Sequence, residues 1–120
     1  MPHLTVEHSG NVVIDSPAAL LLKMNQALVE SGLFGEIEIK SRTVRQDHFL
    51  VGTQPEGRAY AHAKLALLAG RSPDAKKALS ESLLAVMQEH WQDYRSHQLQ
   101  LCVEIQEIER ASYARCDIPA

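Results

Sequence analysis

A Ser-Pro dipeptide occurs twice in this chain, at Ser16-Pro17 and Ser72-Pro73, 56 residues apart. Each opens a stretch with helical spacing, and each such stretch lies between two alternating stretches. Serine is a good N-cap, and proline fits the first helical position because its missing N–H would have had no partner there. The first helix follows in "DSPAALLLKMNQALVESG". Leu20, Leu21, Met24, Ala27 and Leu28 share a face, and Gly32 closes the end. The second follows in "RSPDAKKALSESLLAVMQEHWQDYR", with Leu79, Leu83, Val86, Met87, His90, Trp91 and Tyr94 on one stripe. The order strand, helix, strand is thus repeated, which suggests an internal duplication of a β-α-β unit.

The strands follow from period two. In "PHLTVEH", Leu4, Val6 and His8 face one way and His3, Thr5 and Glu7 the other. "EIEIKSRTVRQDHFLVG" alternates Ile37, Ile39, Ser41 and Thr43 against Glu38, Lys40, Arg42 and Val44. The "TQPEG" turn leads to "RAYAHAKLALLAG", with Ala61, Ala63, Leu65 and Leu67 on its inner face. "LQLCVEIQEIE" buries Leu99, Leu101, Val103 and Ile105. The expected fold class is α+β: two β-α-β units in tandem, giving a four-stranded sheet with two helices on one face. Within each unit the crossover is expected to be right-handed and the paired strands parallel. The chain of 120 residues suits one domain, 2–120, with internal halves at about 2–50 and 58–110. Nothing in it supplies a third helix, so the other sheet face must meet water or another subunit.

Composition removes several classes of function. A net charge of −3 argues against a general nucleic-acid binder, which would carry a basic face. No apolar run reaches the roughly 18 residues of a membrane span, and no signal-peptide pattern is visible. Cys102 and Cys116 fit no metal or redox spacing. The chain is expected to be cytoplasmic, with free thiols. Its six histidines form no ligand pair on a helix, and no metal is expected. His90, in an apolar stripe, is expected to be packed and hydrogen-bonded.

The candidate chemistry lies elsewhere. If Met1 is removed, the nitrogen of Pro2 becomes a terminal secondary amine, able to carry a proton; otherwise Pro2 is a proline tolerated at a strand start. Arg71 directly precedes the cap of the second helix, where unpaired N–H groups already favour an anion. Its guanidinium adds a forked donor suited to a carboxylate. Lys40 and Arg42 project from one face of the second strand. An amine beside three cations suits proton transfer within an acidic, enolisable substrate, with the cations holding carboxylates and developing enolate charge.

The stretches "PHLTVEHS", "VESGLFGEIEIKSR" and "AYAHAKLALLAGRSPDAKK" resemble the 5-carboxymethyl-2-hydroxymuconate Δ-isomerases of the tautomerase superfamily. The resemblance runs from Pro2 to about Glu107. It implies an amino-terminal proline base, β-α-β units, homotrimers with active sites between subunits, no cofactor, and a place in catabolism of the aromatic acid homoprotocatechuate. Position by position, Pro2 matches the catalytic proline and Arg71 an arginine that binds substrate carboxylate. Where the family shows Arg-Ser-Arg on the second strand, this chain has Lys40-Ser41-Arg42. That change keeps charge but not donor geometry. The expected partners are a small anionic substrate and other copies of the chain, with no nucleic acid or membrane. Two alternatives stand beside this reading: tautomerisation of a small keto acid such as phenylpyruvate, and a non-enzymatic ferredoxin-like ligand-binding module. The resemblance is not carried into the tail beyond Glu107, whose role is left open.

Overall fold

The structure, a computed structural model, describes residues 1–120. Strand β1 (His3–Ser9) is followed by helix α1 (Pro17–Glu30), strand β2 (Lys40–Gln46), strand β3 (Arg58–Leu68), helix α2 (Pro73–His90) and strand β4 (Gln98–Ile108). The sheet order is β2-β1-β3-β4. β1 pairs with β2 in parallel and β3 with β4 in parallel, while the two central strands, β1 and β3, are antiparallel. The two strands of each β-α-β unit are thus hydrogen-bonded neighbours. In a split β-α-β arrangement of the ferredoxin type a strand of the other unit would separate them. The pairing therefore excludes that alternative.

Both helices start where the Ser-Pro pairs predict. The Ala19 N–H donates to Ser16 Oγ at 3.3 Å and the Ala75 N–H to Ser72 Oγ at 3.1 Å. Gly32, at φ +75°, follows the α1 cap residue Ser31 in the left-handed conformation open to glycine. The helices touch each other, α1 against β2 and α2 against β4, all on one sheet face. Leu20, Met24 and Leu28 of α1 and Leu79, Leu83 and Met87 of α2 are buried against Leu4 and Val6 of β1 and against Leu65 and Leu67 of β3. Each such side chain contributes about 1.5–3 kcal/mol by leaving water. Ala59, Ala61 and Ala63 are fully buried on the same face of β3. One methyl at each position lets the helices sit close. Leu99, Leu101, Val103 and Ile105 on the edge strand β4 pack against this core but stay partly exposed.

The second strand begins later than its alternation predicts. Glu36–Glu38 form a single 3-10 turn, and Ile37 is 78% exposed. The register explains this. Lys40 pairs with His3, at the very start of β1. Residues ahead of Lys40 have run past the end of β1 and have no strand to bond. They satisfy themselves locally, Glu38 N–H to Gly35 O at 3.0 Å and Ile39 N–H to Glu36 O at 3.3 Å. Only Ile39 turns into the core. His90 also departs from expectation. It is half-buried at the end of α2, its ring edge-on to Trp91 at 4.8 Å between centroids, and packing rather than a hydrogen bond holds it. Its burial pushes its pKa below the ordinary value.

The opposite sheet face is uncovered and polar. His3, Thr5 and Glu7 of β1 lie beside Lys40, Arg42 and Val44 of β2. On the other side they meet Ala66, Lys64 and His62 of β3. There His62 Nε2 lies 2.9 Å from Glu104 Oε1 of β4. No helix is long and apolar enough to cross a membrane.

Candidate active site

Pro2 stands at the start of β1, and its ring is fully buried. Its carbonyl accepts the Lys40 N–H at 3.1 Å, which locks the head of β2 to the head of β1. Lys40 is therefore placed by register: it is the β2 residue level with His3, on the uncovered face. Its Nζ folds back to donate to the Glu38 carbonyl. Arg42 lies on the same face two residues further along, opposite Thr5.

Arg71 comes from the far side of the sequence, in the loop between β3 and α2. Gly70, at φ +125°, turns the chain there. The Arg71 guanidinium does not wave in solvent. Its Nη2 donates to the Leu33 carbonyl at 3.0 Å, and its Cζ sits 5.5 Å from the Phe34 ring centroid. A cation over an aromatic face, with one donor spent on a carbonyl, is a fixed cation with donors left over.

The electrostatics of the chain terminus show what converges there. The amino group of Met1 is held below its ordinary value, first by burial and then by Lys40, with smaller contributions in the same direction from Arg115 and Arg71. Glu38 opposes them. Arg42 is not among these groups. It acts instead on His3, whose ring is pushed down first by burial, then by Lys40 and Arg42. So the amine at the chain terminus lies within electrostatic reach of Lys40, Arg115 and Arg71, and Arg42 sits two residues beyond Lys40 on the open face.

The tail brings two residues that the sequence did not signal. After a 3-10 turn at Arg110–Ser112 it runs back beside the first residues of the chain. The Tyr113 hydroxyl meets His3 Nε2 at 3.0 Å. Arg115 pairs with the Glu38 carboxylate and touches Met1 Sδ, and it makes a two-pronged contact with Asp117 at 2.6 and 2.8 Å. Arg115 depresses the pKa of both carboxylates through these hydrogen bonds. The tail has no periodicity and meets Glu38 across 77 residues of sequence, so no local pattern could have revealed the contact. A separate cavity of about 290 Å³ lies between the end of α1 and the start of α2. Its lining, from Ser31 and Leu33 to Ala75, Ala78, Leu79 and Ser82, has no titratable side chain, so it is not where a proton is moved.

More positive than negative charge acts on the amino terminus. That charge favours an anionic molecule, and burial favours a neutral amine.

A family model described as 5-carboxymethyl-2-hydroxymuconate isomerase matches residues 2–119. The chain is 32% identical over 111 residues to a 5-carboxymethyl-2-hydroxymuconate Delta-isomerase of Escherichia coli, covering 90% of this chain and 87% of that protein. Its fold matches the crystal structure of a 5-carboxymethyl-2-hydroxymuconate isomerase from Deinococcus radiodurans R1, with a TM-score of 0.84 and 30% identity over 98% of this chain and 90% of the other. A structure described as a fused 4-OT wild type symmetric trimer shares the fold at a TM-score of 0.76 and 18% identity, covering 96% and 92% of the two chains.

Proposed function

The chain belongs to the 5-carboxymethyl-2-hydroxymuconate isomerase family and is an isomerase, and we propose that its substrate is 5-carboxymethyl-2-hydroxymuconate or a close unsaturated 2-hydroxy di- or tricarboxylate, with Pro2 as the base. The observation that carries this reading is the buried proline at the head of β1, with Lys40 and Arg71 converging on the chain terminus.

With Met1 removed, the Pro2 nitrogen is a secondary amine one residue, about 3.8 Å of chain, from the amine whose surroundings are described above. An ordinary α-amino group titrates at about 7.7–8.0. Burial and the neighbouring cations lower such a pKa, which leaves the amine neutral and basic at working pH. Neutral Pro2 takes the proton of the dienol hydroxyl or of an α-carbon. The electron pair moves through the conjugated system, and protonated Pro2 returns the proton to a different carbon. The product is the 2-oxo-ene isomer, with no change in redox state. Arg71 binds one carboxylate through its remaining donors. Lys40 and Arg42 hold the second carboxylate and the enolate oxygen. Lys40 has to leave the Glu38 carbonyl, or share it, to reach the substrate.

The polar, uncovered sheet face supports a homo-oligomer in which other copies cover it, with a trimer as the stated expectation. A small keto-acid tautomerase is the competing activity, and Lys40 in place of an arginine is its motive. The deciding experiment combines intact mass with kinetics. Protein lacking Met1 should turn over 5-carboxymethyl-2-hydroxymuconate with much higher kcat/KM than phenylpyruvate. Full activity in protein that retains Met1 would overturn the role of Pro2, and a preference for phenylpyruvate would overturn the substrate.

A further inference from the structure

Glu38 is a carboxylate at the mouth of a site built to receive carboxylates. Its charge repels such a substrate and stabilises the protonated form of the nearby amine. A site of this kind needs that charge masked. Arg115 lies on it, reaching from the C-terminal segment.

We propose that Arg115 is a positioning residue of the active site, neutralising Glu38 and fixing the 3-10 turn whose carbonyl holds Lys40. The inference rests on the reading of Pro2 and Lys40 given above.

Three contacts support it. Three of the five Arg115 donors hold carboxylates: one at Nη1 on Glu38, and one each at Nε and Nη2 on the two oxygens of Asp117. Two carboxylates on one guanidinium leave it no net positive charge to hold a third. It acts on the site through Glu38. Glu38 in turn offers its backbone carbonyl to Lys40 Nζ. Fixing the Glu38 side chain therefore fixes the peptide that orients the lysine. The segment itself is anchored separately, by the Tyr113 hydroxyl on His3, the residue next to Pro2. Arg115 also touches Met1 Sδ. When Met1 leaves, that contact is lost and the space of its side chain opens beside Arg115.

Charged and titratable groups face the terminus from every neighbouring element. They are Lys40 from β2, Glu38 from the turn before it, Arg71 from the loop before α2, Arg115 from the tail, and His3 from β1 itself. Among those acting on the amine, only Glu38 raises its pKa. Removing Arg115 unmasks that opposing charge.

The test uses Met1-processed Arg115→Ala, Glu38→Gln and the double variant, each checked by intact mass. The amine is titrated directly by NMR of protein carrying nitrogen-15 proline, and kcat/KM for 5-carboxymethyl-2-hydroxymuconate is measured against pH. Arg115→Ala should raise the amine pKa and move the acid limb of kcat/KM upward, a loss of about tenfold at low pH for each unit moved. KM should rise as well, because the unmasked Glu38 carboxylate repels an anionic substrate. Glu38→Gln alone should lower the amine pKa, which keeps the test informative if Arg115→Ala folds poorly. The double variant should recover most of the loss. An amine that titrates as in the wild type in both single variants, or a double variant no better than Arg115→Ala, would overturn the proposal. If the amine shifts as stated while kcat/KM keeps its wild-type pH profile, the masking role stands and Pro2 is not the base. If the amine is unmoved and the wild-type acid limb follows its titration, the base stands and the masking role fails.

Discussion

The Tyr113 hydroxyl meets His3 Nε2 across 3.0 Å, joining the tail of the chain to the residue that follows Pro2. In the tautomer that carries its proton on Nδ1, Nε2 accepts the tyrosine proton, and protonation of the ring ends that. Burial, Lys40 and Arg42 all hold His3 below its ordinary value, so the ring is neutral and available at neutral pH.

This gives a pH dependence with a defined sign. The folded-state pKa of His3 lies below the unfolded value of 6.5. The unfolded chain therefore binds the proton first as pH falls. The contribution of His3 is complete above 6.5 and is lost as pH drops through the lower folded value. Tyr113→Phe should cost about 0.5–1.5 kcal/mol at pH 7. It should also weaken the acid dependence below that point. Urea unfolding at several pH values measures both, and an unchanged midpoint at every pH would contradict the assignment.

Arg71 is fixed by Leu33 and Phe34 before any substrate arrives. Arg71→Ala removes a charge-assisted contact worth about 1.5–3 kcal/mol, or roughly tenfold to more than a hundredfold in kcat/KM. A rise in KM alone would mean that Arg71 holds ground and transition states equally; a fall in kcat would place it on the enolate. Arg71→Lys should recover only part, because an ammonium makes no forked contact. Steady-state kinetics equal to wild type in Arg71→Ala would remove the residue from the site.

Ser9 is fully buried at the end of β1, where its Oγ accepts the Tyr60 N–H at 3.0 Å. Ser9→Ala leaves that buried N–H without a partner and should destabilise the protein by about 1–3 kcal/mol. Chemical denaturation reads this directly. A change within the error of the measurement would mean that water or a shifted backbone replaces the hydroxyl.

Leu83 and Ile37 make a matched pair of opposite outcomes. Leu83→Ala opens a cavity in the core and should cost about 2–5 kcal/mol. Ile37→Ala, at a 78% exposed position, should stay within about 0.5 kcal/mol. A large loss at Ile37 in the assembled protein would place that side chain in a contact between subunits.

The helices and three of the four strands were legible because their burial follows a period that sequence displays. Leu20, Met24 and Leu28 repeat every three or four residues, and Ala61, Ala63, Leu65 and Leu67 every two. Glu36-Ile37-Glu38-Ile39 displays period two as well, yet three of those residues form a turn. Alternation states which side chains could share a face, not whether a partner strand is present. Pro2, Lys40, Arg42 and Arg71 could be picked out by residue type and position. Lys40 and Arg71 both act on the amine at the chain terminus, while Arg42 lies two residues beyond Lys40 on the open face. Glu38, Tyr113 and Arg115 reach the site through long-range contacts made by an aperiodic tail, and no pattern in the residues announces those.

The two β-α-β units match in order and in the Ser-Pro start of each helix, but a polypeptide has only one amino terminus. The residue ahead of β3 is Gly57, bonded through its nitrogen to Glu56, where the residue ahead of β1 is Pro2. Asp15 precedes the cap of α1, where Arg71 precedes that of α2. The scaffold is close to two-fold, and the chemistry is not. Stoichiometry follows from that difference: a reagent that captures the low-pKa terminal amine should reach its end point at one equivalent per chain. Cutting the chain between the units would expose a second terminus, but with an acidic residue where the first has a cation, it would gain an amine without gaining a base.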